Sequence, residues 1–248
     1  MPMTDPASPP PSSLPPTPPD AQAIAADTAH ALLALKAVLV YERQPFVYTT
    51  GWASPVYVDC RRLMSHPGYR RLLMDHAAGL LRSRLGSSID VIAGTETAGI
   101  PFASWIADRL DLPMVYVRKK SVGWGSHAQI EGDLPEGARC LLVDDLTTDG
   151  RSKIGTARAL RQAGAQLSDI FVIFNYDVYP QSRQVYEEHG FTMHALATWK
   201  DVFTQTKSLS YFTPKHAKEI KDFLADPVGW SALHGGAGVV PSGTPEHG

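Results

Sequence analysis

The order of apolar runs in this chain predicts an α/β fold in which a parallel sheet is covered by helices on both faces. Strand-like runs at Val91–Ala93, Met114–Val117, Leu141–Val143, Ile170–Phe174 and Met193–Ala197 alternate with helical patterns at Pro101–Leu110, Ser152–Ala163 and Gln181–His189. Such alternation is the signature of strand–helix–strand crossovers. The 248 residues are 44% hydrophobic, which is enough for a proper core. Polar or glycine-rich loops follow three of the strands, at Gly94–Pro101, Arg118–Lys120 and Asp144–Gly150. Ligands of parallel sheets sit beyond the carboxyl ends of the strands, so these loops are expected to converge on one crevice.

Taken in order, residues 1–20 hold nine prolines and almost nothing to bury, which predicts a disordered or polyproline-like tail. Alanine and leucine dominate Ala21–Val40, and Leu32, Leu35 and Leu39 recur at helical spacing, which predicts an amphipathic entry helix. Phe46–Asp59 reads as two short strands around a Gly51-Trp-Ala-Ser-Pro55 turn, a hairpin able to cover a pocket. Arg61 and Arg62 follow directly. Ser65-His66-Pro67 then opens a helix through Arg84 with Leu73, Ala77, Leu80 and Leu81 inward. Residues 235–248 are rich in Gly, Pro and Ser and read as a loose tail.

Composition excludes several functions. With 23 basic and 25 acidic residues the formal charge is −2, which gives no nucleic-acid footprint. No run of 18 apolar residues and no secretory leader is visible, so no membrane span or export is expected. Cys60 and Cys140 are far apart in apolar-flanked stretches, which suits a reducing, cytoplasmic setting rather than a disulfide framework. Neither H-E-x-x-H nor C-x-x-C occurs, so no dedicated protein metal site is expected.

The chemistry concentrates in Cys140–Lys153, where an apolar strand runs into Asp144 and Asp145, then Leu146, Thr147, Thr148, Asp149 and Gly150, then a helix opening at Arg151 and Ser152. Unpaired N–H groups at a helix start, with the helix dipole behind them, favour a phosphate. The two threonines add hydroxyl donors, and Gly150 lets the backbone curl close to the anion. Two carboxylates beside an anion repel it unless they face something else, and the vicinal hydroxyls of a sugar are natural partners. The stretch therefore reads as a grip for ribose 5-phosphate. It contains no G-x-x-x-x-G-K-[ST] loop, and Gly94–Gly99 is not G-x-G-x-x-G.

This stretch resembles the phosphoribosyl-diphosphate (PRPP) motif of the type I phosphoribosyltransferases. Ser54-Pro-Val-Tyr-Val-Asp59 with Arg61, Gly94-Thr-Glu-Thr-Ala-Gly-Ile-Pro101, Arg118-Lys119-Lys120 through Ile130-Glu-Gly132, and Thr198-Trp-Lys-Asp201 resemble the hood, pyrophosphate loop, mobile catalytic loop and post-strand segment of orotate phosphoribosyltransferases. The resemblance implies the type I phosphoribosyltransferase fold, Rossmann-like, over residues 21–230, with a small hood at about 21–62. It implies transfer of ribose 5-phosphate from PRPP to orotate, giving orotidine 5′-monophosphate and pyrophosphate in pyrimidine synthesis. Mg2+ is the implied cofactor, and the implied partner is a second copy of the chain in a homodimer with shared active sites. Asp144, Asp145 and Lys119 are then the catalytic residues. PRPP falls to Arg118, Lys119, Lys120 and Asp144–Ser152; pyrophosphate to Thr97, Ala98 and Gly99; orotate to Thr148, Tyr57 and Val58.

The sequence departs from that pattern at Thr49 and Val122, where lysines are usual, at Trp124, where His or Tyr is common, and across Asn175–Pro180, where most members carry an arginine that pairs with the orotate carboxylate. Arg61, Arg62, Lys120 and His127 are the candidates to compensate. Two other readings stay open: the same transfer to another nucleobase, and a non-catalytic regulator that binds PRPP or a nucleotide.

Overall fold

The computed structural model describes residues 20–48, 50–120, 129–209 and 211–239, with side chains left out at 207–209. Helix α1 (Ala21–Ala34) starts on Asp20, whose carboxylate accepts the Gln22 N–H at 2.9 Å. It stops earlier than the leucine spacing predicts. Lys36 takes φ 52°, and the N–H groups of Lys36 and Ala37 bond back to Leu33 and Leu32 at 2.9 and 2.8 Å, closing the helix as a left-handed C-terminal turn. Val38–Val40, with two β-branched residues of three, then forms β1.

The hood carries three short strands after β1 rather than two. Strands β2 (Phe46–Val47) and β3 (Ala53–Ser54) form a hairpin, and β4 (Val56–Val58) runs antiparallel to β1 with Val38 opposite Val58. The hairpin turn therefore occupies residues 48–52, ahead of the predicted one, because Gly51 supplies the positive φ of 89° and Trp52 is wholly buried. A 3-10 turn (Cys60–Ser65) leads into α2 (Pro67–Leu85), which buries the four predicted residues.

The remaining elements are β5 (Val91–Thr95), α3 (Gly99–Leu110), β6 (Met114–Val117), β7 (Ile130–Glu131), β8 (Arg139–Thr147), α4 (Arg151–Gln162), β9 (Gln166–Asn175), α5 (Gln181–His189), β10 (Thr192–Thr198), α6 (Trp199–Leu209), α7 (Pro214–Ala225) and α8 (Pro227–Leu233). The main sheet has the order β10-β9-β8-β5-β6-β7. All its neighbours are parallel except β7, which pairs antiparallel with β6 at the edge.

Side chains alternate along β8, so Leu141 and Val143 join the core shared with the hood, α1, α2 and α3, while Cys140 and Leu142 join the core under α4. Burial on both faces makes the central strands read as continuous apolar runs. The C-terminal segment completes the hood. Ser231 Oγ accepts the Ala53 N–H at 2.9 Å, and the Ala237 N–H bonds to Gly51 O at 2.8 Å. Residues 235–239, which composition assigns to a loose tail, are thus tied to the hairpin.

Candidate active site

Strand β8 delivers Asp144 and Asp145 at its carboxyl end, where the hood folds over the sheet. The two carboxylates are held differently. Asp144 is buried and pairs through Oδ2 with the ammonium of Lys153, from the first turn of α4, while its Oδ1 accepts the Asp145 N–H at 2.9 Å. Asp145 Oδ1 accepts the Leu146 N–H at 2.9 Å, and no cation pairs with it among the described residues. Burial, and then the negative charge of Asp144, push the Asp145 carboxyl up to about 7. A desolvated carboxylate in this position is stabilised by hydroxyl donors or by a cation brought with a ligand.

Beyond the pair, burial alternates. Thr147, Asp149, Arg151 and Lys153 are buried, whereas Asp145, Leu146, Thr148 and Ser152 are half-buried, Leu146 packing against the core. Gly150 takes φ 83°, and a Cβ there would come within 2.3 Å of the Tyr186 ring. Around the start of α4, Thr148 and Ser152 thus keep partial exposure. The side chains of Asp149 and Arg151 do not: Arg151 Nε donates to Asp149 Oδ2 at 2.7 Å, Trp52 Nε1 donates to the same oxygen at 2.8 Å, and Arg151 Nη2 reaches Thr50 O at 3.0 Å.

The loop after β5 closes against this motif. A Cβ on Gly99 would meet Val143 O at 2.5 Å and Asp144 Oδ1 at 3.2 Å, so only glycine allows the start of α3 to come so near the carboxylates. Thr97 is exposed and Ala98 half-buried beside it. From the strand end beyond, Glu96 accepts the Lys119 N–H at 2.7 Å, Arg118 pairs with Glu131 at 2.6 Å, and Lys119 and Lys120 are exposed. Val122, Trp124 and His127, together with Gly123 and Gly125, lie outside the described residues, as does Thr49.

Beside the carboxylate pair the hood meets the end of β9. Burial raises the pKa of Tyr57, the nearby Arg61 charge lowers it and Asp145 raises it, so these three groups share one field. Cys60, fully buried, has its thiol pushed well up by desolvation, then by Asp145 and Asp59. Arg61 bonds to Asp59 at 2.7 Å and to the Tyr57 hydroxyl at 3.2 Å. Arg62 bonds to Leu35 O at 3.2 Å and lies 3.9 Å from Asp59. Where the sequence lacks the usual arginine, Tyr176 is buried: its hydroxyl accepts the Val58 N–H at 3.2 Å and bonds to the Tyr48 hydroxyl at 2.9 Å. The Val58 amide is therefore already engaged.

Lys153, Trp52, Glu96 and Tyr176 escape a reading of the sequence for site residues. Lys153 alone has a usable signal, since a lysine in the first turn of a helix opposes the dipole and calls for an anionic partner nearby.

The chain matches the family described as phosphoribosyl transferase domain over residues 61–208. That match spans the main sheet from β5 to β10, with the carboxylate pair at the end of β8, and defines the chain as a phosphoribosyltransferase. It is 45% identical over 223 residues to an orotate phosphoribosyltransferase from Jannaschia sp. (strain CCS1), covering 90% of this chain and 98% of that one. It is 44% identical to another from Sinorhizobium medicae (strain WSM419), covering 86% and 92%. Among solved structures, orotate phosphoribosyltransferase from Aeropyrum pernix superposes with a TM-score of 0.62 at 27% identity, over 74% of this chain and 99% of that one. Leishmania donovani UMP synthase gives 0.71 at 27% identity over 81% of this chain, which spans 42% of that longer protein. The chain belongs to the orotate phosphoribosyltransferase family.

Proposed function

We propose that this protein transfers the 5-phosphoribosyl group of PRPP to a ring nitrogen of orotate. The C1–O bond to pyrophosphate breaks, a C1–N bond forms, and the ring nitrogen gives up its proton, yielding orotidine 5′-monophosphate and pyrophosphate. The observation that carries this reading is the carboxylate pair Asp144–Asp145, set between an anion loop at the start of α4 and the hood residues Tyr57 and Arg61. The names of the relatives support the acceptor.

Each part has a physical task. Departure of pyrophosphate leaves positive charge on the ribose ring, as in oxocarbenium-like glycosyl transfer. Asp145, once ionised, accepts the ribose hydroxyls and faces that charge; Asp144, neutralised by Lys153, holds the Asp145 backbone in place. Thr148, Ser152 and the N-terminus of α4 receive the 5-phosphate. Thr97, Ala98 and Gly99 receive the pyrophosphate, together with the Lys119 of the second copy. Asp145, with no cationic partner among the described residues, would help hold the family's Mg2+ together with PRPP, and the ion would supply positive charge to the leaving pyrophosphate. Arg61 supplies the positive charge that an acceptor carboxylate requires near Asp145. We place the working unit as a homodimer in which Lys119 reaches the partner's site.

Pyrophosphate release tests the reading: it requires PRPP, Mg2+ and orotate together. The missing arginine across Asn175–Pro180 favours one rival, a different acceptor base, and release with adenine or uracil but none with orotate would establish it.

A further inference from the structure

Two residues of the phosphate loop, Asp149 and Arg151, spend their side chains on the hood rather than on the crevice. Their exposures are 1% and 5%, and that of Trp52, which donates to Asp149 Oδ2 at 2.8 Å, is 0%. Arg151 grips the same carboxylate through Nε at 2.7 Å, its own N–H reaches Asp149 Oδ1 at 3.2 Å, and Nη2 crosses to Thr50 O at 3.0 Å. Trp52 stacks on Tyr179 with ring centroids 5.0 Å apart. Between the two charged residues sits Gly150 in a left-handed conformation, its open side filled by Tyr186.

We infer that Trp52, Asp149 and Arg151 form a buried clasp through which the hood sets the shape of the phosphate loop. Trp52 and Arg151 are thereby positioning residues for phosphate binding. A loop that holds an anion with backbone N–H groups works only if those groups already converge, since neither the donors nor the anion supplies their order. Here residues 149 and 151, on either side of the central glycine, are fixed by residues 50 and 52 of the β2–β3 turn. The same hood carries Tyr57 and Arg61 on the acceptor side, so one rigid element registers both halves of the substrate site. The inference rests on the phosphoribosyl-transfer reading.

The test uses the full chain and Trp52→Phe, which keeps an aromatic ring on Tyr179 and deletes the donor to Asp149. Calorimetric titration with ribose 5-phosphate reads the phosphate half directly, and steady-state kinetics with PRPP, Mg2+ and orotate read the whole site. The expected result is about 10-fold weaker ribose 5-phosphate binding and a matching rise in KM for PRPP, with kcat changed less than about 2-fold; a tenfold loss corresponds to about 1.4 kcal/mol. Arg151→Lys, which retains the charge but loses the fork to Asp149 and Thr50, is the second variant and is expected to show the same split. Unchanged ribose 5-phosphate affinity in a folded Trp52→Phe protein would overturn the clasp. Loss of affinity in Arg151→Lys alone would also overturn it, since that pattern marks direct contact with the phosphate. Normal ribose 5-phosphate binding by a wild type that releases no pyrophosphate would instead overturn the functional reading and leave the titration arm intact.

Discussion

Replacing Asp145 by asparagine separates what this carboxylate does for the substrate from what it costs the empty fold. In the folded chain the carboxyl titrates at about 7, raised from its ordinary value of 3.8 by burial and by the charge of Asp144. The folded protein therefore keeps a proton that the unfolded chain has lost across the interval from about 4 to 7. Stability contributed by this group falls as pH rises through that window and is level above it. At 1.36 kcal/mol per tenfold, the full displacement is worth about 4 kcal/mol. Partial access of Asp145 to water reduces this, so a gain of about 1–3 kcal/mol is expected for Asp145→Asn at pH 8. A protein of this size shifts by about 2–4 °C per kcal/mol. Thermal melts without ligand should show the variant close to wild type at about pH 3.5, below the window, and several degrees higher at pH 8. In the same preparation turnover should fall by roughly 100- to 1000-fold, the loss typical of removing one electrostatic stabiliser. An Asp145→Asn protein that melts below wild type at pH 8, or that turns over normally, would refute the reasoning.

Other perturbations probe the surrounding parts. Lys153→Met leaves Asp144 buried without its partner and should cost about 3–5 kcal/mol of stability, read by denaturant unfolding; an unchanged midpoint would show that the pair is not formed. Gly99→Ala places a methyl 2.5 Å from Val143 O, so KM for PRPP should rise and the melting temperature drop. Arg61→Ala should raise KM for orotate at least tenfold while leaving KM for PRPP within about threefold, and a uniform change in both would argue against an acceptor role. Mixing inactive Lys119→Ala with inactive Asp145→Asn should restore part of the activity if sites are shared in a dimer; mixed dimers without recovery would place Lys119 in its own subunit's site.

Much of the sheet was legible because strands buried on both faces carry unbroken apolar runs, and because the crossover helices have clear periodicity. Short elements were not. Leu39 falls on the helical spacing of Leu32 and Leu35, yet the backbone reverses at Lys36, and nothing local to a lysine announces φ 52°. Within Phe46–Val58, β4 is set by its pairing with β1, and the hairpin is bonded to Ser231 and Ala237, which lie far along the chain. In the site, residue types announced the carboxylate pair at the end of β8 and the glycine-centred turn into α4. Side-chain direction was hidden: Asp149 and Arg151 look like anion-loop residues until Trp52, nearly a hundred positions earlier in sequence, is seen to hold them.

Pyrophosphate release by the wild-type protein, measured against omission of each component, tests the central claim most directly. Release that needs PRPP, Mg2+ and orotate together, with orotidine 5′-monophosphate formed in equal amount, is the predicted result. No release with orotate under conditions where PRPP is bound would contradict it.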